Sequence, residues 1–117
     1  MNLIQISTTE EFLKFLTNGT SSEKIIFKHS YRCPVSLSAK RNLIIWLNSI
    51  FEKDKPLTII IDVINDKMLS EYISKKYKIV HQSPQIIWLN EKNLVKWHES
   101  HYQITEEKLS NQLKTNY

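Results

Sequence analysis

The one cysteine of this 117-residue chain, Cys33, stands in a segment with the composition of a reactive site, Arg32-Cys33-Pro34-Val35-Ser36. Before it comes the apolar run Ile25-Ile26-Phe27; after it, Pro34 opens a helical pattern. Proline is favoured in the first helical turn, where its missing N–H is no loss, so Cys33 falls at or beside the N-cap. The free N–H groups and the positive end of the helix dipole favour an anion there, which lowers a thiol's pKa from about 8.5 towards neutrality. A thiolate nucleophile that attacks disulfide sulfur is the chemistry implied. Arg32 adds a positive charge next to it, and Ser36, three residues on, lies one helical turn away. Its hydroxyl and N–H either return to the sulfur or merely tolerate a first-turn position.

The lack of a second cysteine bounds the mechanism. A dithiol site expels its bound partner with its own resolving cysteine; here an outside thiol must do so. The four histidines raise the question of a metal, yet their spacing matches no standard zinc pattern, and no metal is expected. A lone unpaired thiol suits a reducing compartment. The N-terminus Met-Asn-Leu-Ile-Gln has neither a basic n-region nor a cleavage site, and no apolar run nears the roughly 18 residues of a membrane span, so the expectation is cytoplasmic, with no membrane partner. The net charge of +4 comes from scattered lysines; Lys40-Arg41 and Lys75-Lys76 with Lys78 read as solvated helix faces rather than a nucleic-acid surface. It would still suit a small anionic thiol.

The elements that must position Cys33 follow from periodicity. Length and a 41% hydrophobic content indicate one globular domain over 1–117. Leu3-Ile4-Gln5-Ile6 predicts a strand, and Ser7 with Glu10 a capping box for a helix carrying Phe12, Leu13, Phe15 and Leu16. That helix stops at Asn18-Gly19, before the loop Thr20-Ser21-Ser22. Lys24 to His29 predicts a central strand. The helix from Pro34 runs to about Lys53, with Leu37, Ile44, Ile45, Leu47 and Ile50 buried, and Trp46 and Phe51 as further candidates. Leu57 to Asp62 predicts a strand covered on both faces. Asp66 caps a helix burying Met68, Leu69, Tyr72 and Ile73 and ending near Tyr77, and Ile79 to Gln82 is a loop. Gln85-Ile86-Ile87-Trp88-Leu89 and Leu94-Val95-Lys96-Trp97 form a hairpin. His98 to Gln103 is a loop, and Thr105 starts a last helix with Leu109 and Leu113. The order β-α-β-α-β-α-β-β-α indicates an α/β fold, a mixed sheet with helices on both faces.

Cys33-Pro34-Val35-Ser36 after a buried strand resembles the thioredoxin-fold Cys-x-x-Cys site with serine in place of the second cysteine. More closely, Lys28-His29-Ser30-x-Arg32-Cys33-Pro34-Val35-Ser36, Ser83-Pro84-Gln85 and Trp97-His98-x-Ser100-His101 together resemble the monothiol bacilliredoxins, over nearly the whole chain. The resemblance implies a thioredoxin-like fold of about five strands flanked by four helices. It implies an oxidoreductase with no bound cofactor that removes bacillithiol from S-bacillithiolated proteins, with bacillithiol as thiol co-substrate, acting as a monomer. Cys33 would be catalytic, with Arg32, Pro34, Ser36, Ser83, Pro84, Ser100 and His101 binding substrate. It turns Ser83-Pro84, for which trans is the default, into an expected cis bond that offers Ser83 main-chain groups to a substrate. It brings the loop with Ser100 and His101 beside the cysteine, there either to hold carboxylates of a small thiol or as ordinary polar loop residues. The only glycine is Gly19, so the glycine pair of glutaredoxins before the last helix is missing, which argues against glutathione. The alternative is a binding or adaptor module, or an iron-sulfur cluster carrier, using the same cysteine.

Overall fold

The computed structural model describes residues 3–18 and 22–114. The expected stop at Gly19 and the loop residues Thr20 and Ser21 fall outside them. In chain order the elements are β1 (Leu3–Gln5), α1 (Thr9–Thr17), β2 (Lys24–His29), α2 (Pro34–Ser49), β3 (Leu57–Asp62), α3 (Lys67–Tyr77), β4 (Gln85–Leu89), β5 (Val95–Ser100) and α4 (Glu106–Lys114). Short 3-10 turns occupy Glu52–Asp54 and His101–Gln103.

The strands form one five-stranded sheet in the order β1-β3-β2-β4-β5. β3 pairs parallel with β1 and β2, whereas β4 runs antiparallel to both β2 and β5. Side chains alternate across the sheet, so β2 feeds two cores. Ile26 joins Phe12, Phe15 and Leu16 of α1 and Leu69 and Ile73 of α3 on one face. Ile25 and Phe27 join Leu43, Trp46 and Leu47 of α2 and Leu109 of α4 on the other. This is the expected α/β architecture with helices on both faces.

Several local expectations are displaced. The capping box of α1 is Thr8 with Glu11, not Ser7 with Glu10: the Glu11 N–H donates to Thr8 Oγ1 at 3.1 Å, and the Thr8 N–H to Glu11 Oε1 at 3.1 Å. Phe12, Phe15 and Leu16 then face the sheet and Leu13 is left half exposed. In α2 the buried face is Ser36, Ala39, Leu43, Trp46 and Leu47. Leu37, Ile45 and Phe51, expected inside, are exposed. The helix is apolar on more than one side, so spacing alone did not fix its orientation. Trp46 fixes it, packing edge-on at 5.6 Å from Trp88 and donating its Nε1 to Ser110 Oγ at 3.0 Å. The helix ends at Ser49 rather than near Lys53. In α3 the expected core residue Met68 is exposed while Ser70 is buried.

Candidate active site

The topology gathers four segments at one end of the sheet. β2 and β3 finish together, with His29 opposite Asp62. Antiparallel β4 begins there, with Gln85 opposite Lys28, and β5 ends there, with Ser100 opposite Gln85. The Cys33 loop, the turn after Asp62, the Ser83-Pro84 dipeptide and His101 therefore share that end.

Cys33 is the N-cap of α2 with extended backbone, and Pro34 begins the helix. The loop is closed by the Cys33 N–H donating to Ser30 O at 3.3 Å and the Leu37 N–H to Cys33 O at 3.1 Å. The thiol is partly exposed. Its pKa is lowered chiefly by the backbone N–H of Ser36, then by that of Val35, with the Ser36 hydroxyl adding to them and burial opposing. Arg32 is not among these causes. Ser36 itself is fully buried, and its Oγ accepts the Ser30 N–H at 3.1 Å. The Ser36 hydroxyl is thus held in the first turn of α2, where it also contributes to lowering the thiol's pKa.

Arg32 is exposed, and its guanidinium has no partner among the described residues; only its main-chain N–H is engaged, by Ser30 Oγ at 3.3 Å. Ser83-Pro84 is cis. Pro84 is buried, and its carbonyl accepts the His101 N–H at 2.9 Å. β5 extends through Ser100, so the loop expected from His98 starts only at His101. Ladder pairing to Gln85, invisible in the local sequence, prolongs the strand. Ser100 is thus a half-buried strand residue, while His101 is exposed, has a positive φ of 56°, and bonds through Nε2 to Gln82 Oε1 at 2.8 Å. Among the described residues no three of His, Cys, Asp and Glu stand close enough to hold a metal ion.

Sequence reasoning passed over Lys28 and His29 as strand positions. Both are fully buried. Lys28 points into the α3 side, its Nζ donating to Ser70 O at 2.9 Å and Ser74 Oγ at 2.7 Å, and burial pulls it down to about 8. His29 points to the α2 side, stacked on Phe27 at 5.6 Å and edge-on to Tyr31 at 4.3 Å, and neither ring nitrogen has a partner. Burial, then the Lys40 ammonium, lower its pKa, with Asp62 opposing. The available signal was two adjacent titratable residues in an otherwise apolar strand.

Also missed was a pocket of about 90 Å³ between the loop that precedes Cys33 and the turn after β3, lined by Tyr31, Arg32, Asp62, Ile64 and Asn65. Asp62 shapes it: Oδ1 accepts the N–H groups of Ile64 and Asn65 at 2.9 and 3.1 Å, and Oδ2 accepts Asn65 Nδ2 at 2.9 Å. A larger cavity of about 350 Å³, bounded by Ile4, Phe15, Pro56 and Leu57, lies at the opposite end of the sheet and holds no nucleophile.

The fold agrees with those of known proteins. A structure described as a suggested oxidoreductase with a thioredoxin fold superposes with a TM-score of 0.82 at 25% identity, covering 95% of this chain and 93% of the other. The reduced thioredoxin pre-protein of Schistosoma mansoni gives 0.73 at 16% identity, covering 98% of each chain. Fasciola hepatica thioredoxin gives 0.73 at 13%, covering 97% and 99%. These establish a thioredoxin fold. Residues 4–109 match the family model described as monothiol bacilliredoxin BrxC. With its single Cys33 at the head of α2, this chain belongs to the monothiol bacilliredoxin BrxC family.

Proposed function

We propose that the protein is a monothiol oxidoreductase that removes bacillithiol from S-bacillithiolated proteins in the cytoplasm. The observation that carries this reading is a partly exposed thiol with a lowered pKa, held at a helix N-terminus in a chain with no second cysteine. The Cys33 thiolate attacks the bacillithiol sulfur of the substrate's mixed disulfide. A Cys33–bacillithiol bond forms, the old S–S bond breaks, and the electron pair leaves on the substrate's cysteine. A free bacillithiol thiolate then attacks the captured bacillithiol, giving bacillithiol disulfide and the Cys33 thiolate. Nothing inside the chain needs to move to resolve the intermediate.

Ser36 keeps the sulfur anionic, and Pro34 starts the helix that supplies the N–H groups. Arg32 lies on the β3 flank of the sulfur; Ser83, Pro84, Ser100 and His101 lie on the β4–β5 flank, as the binding residues of that side. No helix among the described residues is long and apolar enough to cross a membrane. The test follows the intact masses of the reduced protein and a bacillithiolated protein substrate. Wild type gains one bacillithiol as the substrate loses it, and free bacillithiol restores the starting mass. Cys33→Ala gains none, and transfer by that variant at the wild-type rate would overturn the mechanism. Equal transfer from a glutathionylated substrate would keep the chemistry but remove bacillithiol as the preferred thiol.

A further inference from the structure

We propose that the pocket walled by Tyr31, Arg32, Ile64 and Asn65 seats the carboxylate end of the small thiol, making the enzyme selective for low-molecular-weight thiols that carry carboxylates. The inference rests on the exchange reaction proposed above and adds the flank of Cys33 on which the small thiol lies.

Arg32 directly precedes the nucleophile and, among the described residues, its guanidinium has no partner. A guanidinium offers a planar fork of donors that matches a carboxylate in two parallel bonds, so an unpaired one at a pocket wall is an open carboxylate receptor. The pocket is small, about 90 Å³. It fits a carboxylate-bearing tip rather than a whole thiol. Asp62 is the one acid in the wall, and the Arg32 guanidinium faces it across the pocket as the opposite charge. Asp62 is 3% exposed, and its two oxygens take three N–H donors from Ile64 and Asn65.

The wall is also backed. The Tyr31 ring meets the buried His29 ring edge-on at 4.3 Å, and Lys40 Nζ lies 5.3 Å from its centroid. The His29 ring, with no hydrogen bond among the described residues, thus props the ring that bounds the pocket, and Lys40 adds positive charge nearby. The opposite flank is less suited. Its His101 ring is already bonded to Gln82 Oε1 at 2.8 Å. It stands at the β5 end, two strands away from the Arg32 side of the sheet.

The test uses two small disulfides, those of mercaptosuccinate and of mercaptoethanol, as dicarboxylate and neutral probes. With either, the Cys33 thiolate attacks one sulfur, a Cys33–probe disulfide forms, the probe S–S bond breaks, and the second half leaves as thiolate. The ratio of the two second-order rates is measured for the reduced full chain and for free cysteine, which sets the intrinsic ratio. Wild type should favour the dicarboxylate roughly tenfold more than cysteine does, since a charge-assisted fork is at stake. Arg32→Gln should bring the ratio back to that of cysteine, while Arg41→Gln keeps the preference. An Arg32→Gln ratio equal to wild type would overturn the proposal. So would an equal loss in Arg41→Gln, which reveals a diffuse field. A wild-type ratio equal to that of cysteine removes the pocket's role alone. Failure of Cys33 to react with either probe overturns the exchange reaction, and the pocket's role with it.

Discussion

The two ends of the sheet handle polar groups in opposite ways. At the end where β2 begins and β4 finishes, charges are paired with one another. Glu23 Oε1 accepts Trp88 Nε1 at 2.7 Å and Lys96 Nζ at 3.0 Å, and that ammonium lies 4.9 Å from a Trp88 ring centroid. At the end where β2 finishes, a thiol of lowered pKa collects around one loop with a guanidinium and a buried imidazole that have no partners among the described residues. The first arrangement satisfies donors and fixes the β4–β5 hairpin to β2. The second leaves donors and a nucleophile open to something outside the chain. Cavity size points the wrong way, since the 350 Å³ hollow lies at the paired end and the 90 Å³ pocket at the open one.

The largest effect expected from breaking this contrast is at the paired end. Glu23→Ala strips Trp88 Nε1 of its acceptor and Lys96 of its carboxylate at side chains only 13% and 18% exposed. A buried donor left without its acceptor costs about 2 kcal/mol, and at this chain length that lowers Tm by about 10 °C. The alkylation profile of Cys33 should not move. A shifted thiol profile in a folded Glu23→Ala protein would show that the two ends are coupled and that the contrast is false.

Next comes the open end. Ser36→Ala removes the hydroxyl that helps lower the thiol's pKa and strands the Ser30 N–H that it accepts at 3.1 Å. Iodoacetamide alkylation at pH 7 should slow severalfold as the thiol's pKa rises, with a stability loss of about 1 kcal/mol. Ser36→Thr should restore part of both. A Cys33 profile unchanged in Ser36→Ala would leave the backbone N–H groups of Ser36 and Val35 as the whole cause.

Most of the fold was legible because its signals are local. The β-branched runs of β2, β3 and β4, the Pro34 start and the hairpin at Asn90 each declare themselves over a few residues. Cys33, Pro34 and Ser36 were legible for the same reason. What stayed hidden depends on partners distant in sequence. Ser100 enters β5 only because Gln85 pairs with it, and Trp46 turns α2 inward because Trp88 and Ser110 receive it. The pocket needs the Asp62 turn folded against Arg32, and nothing in Tyr31-Arg32 announces Asn65 as a neighbour. His29 looked like one more strand residue because burial without a partner is a property of the assembled core.

His29 gives the smallest and most discriminating effect. The groups that face it are Lys40 from α2, Asp62 from the neighbouring strand, and Tyr31 from its own loop. Its folded pKa is lowered, first by burial and then by Lys40, so as pH falls the unfolded chain binds a proton before the folded one does. The stability that this group contributes is therefore complete above the unfolded value of about 6.5 and is lost as pH falls from there through the folded value. His81 behaves in the same direction, through burial first and Lys28 second, with Glu71 opposing. Wild type should thus lose Tm between pH 7 and pH 5, His29→Phe should lose about half as much, and His81→Gln in that background should flatten the remainder. Phenylalanine suits the site because it keeps both ring contacts, with Phe27 and with Tyr31, and removes only the titrating nitrogens. The same His29→Phe protein should keep the wild-type alkylation profile, since no imidazole is among the groups that lower the Cys33 pKa. If acid sensitivity falls and the thiol profile stays, the His29 imidazole acts on stability alone. A thiol profile that moves with His29→Phe would instead make the imidazole part of the thiol's own electrostatics.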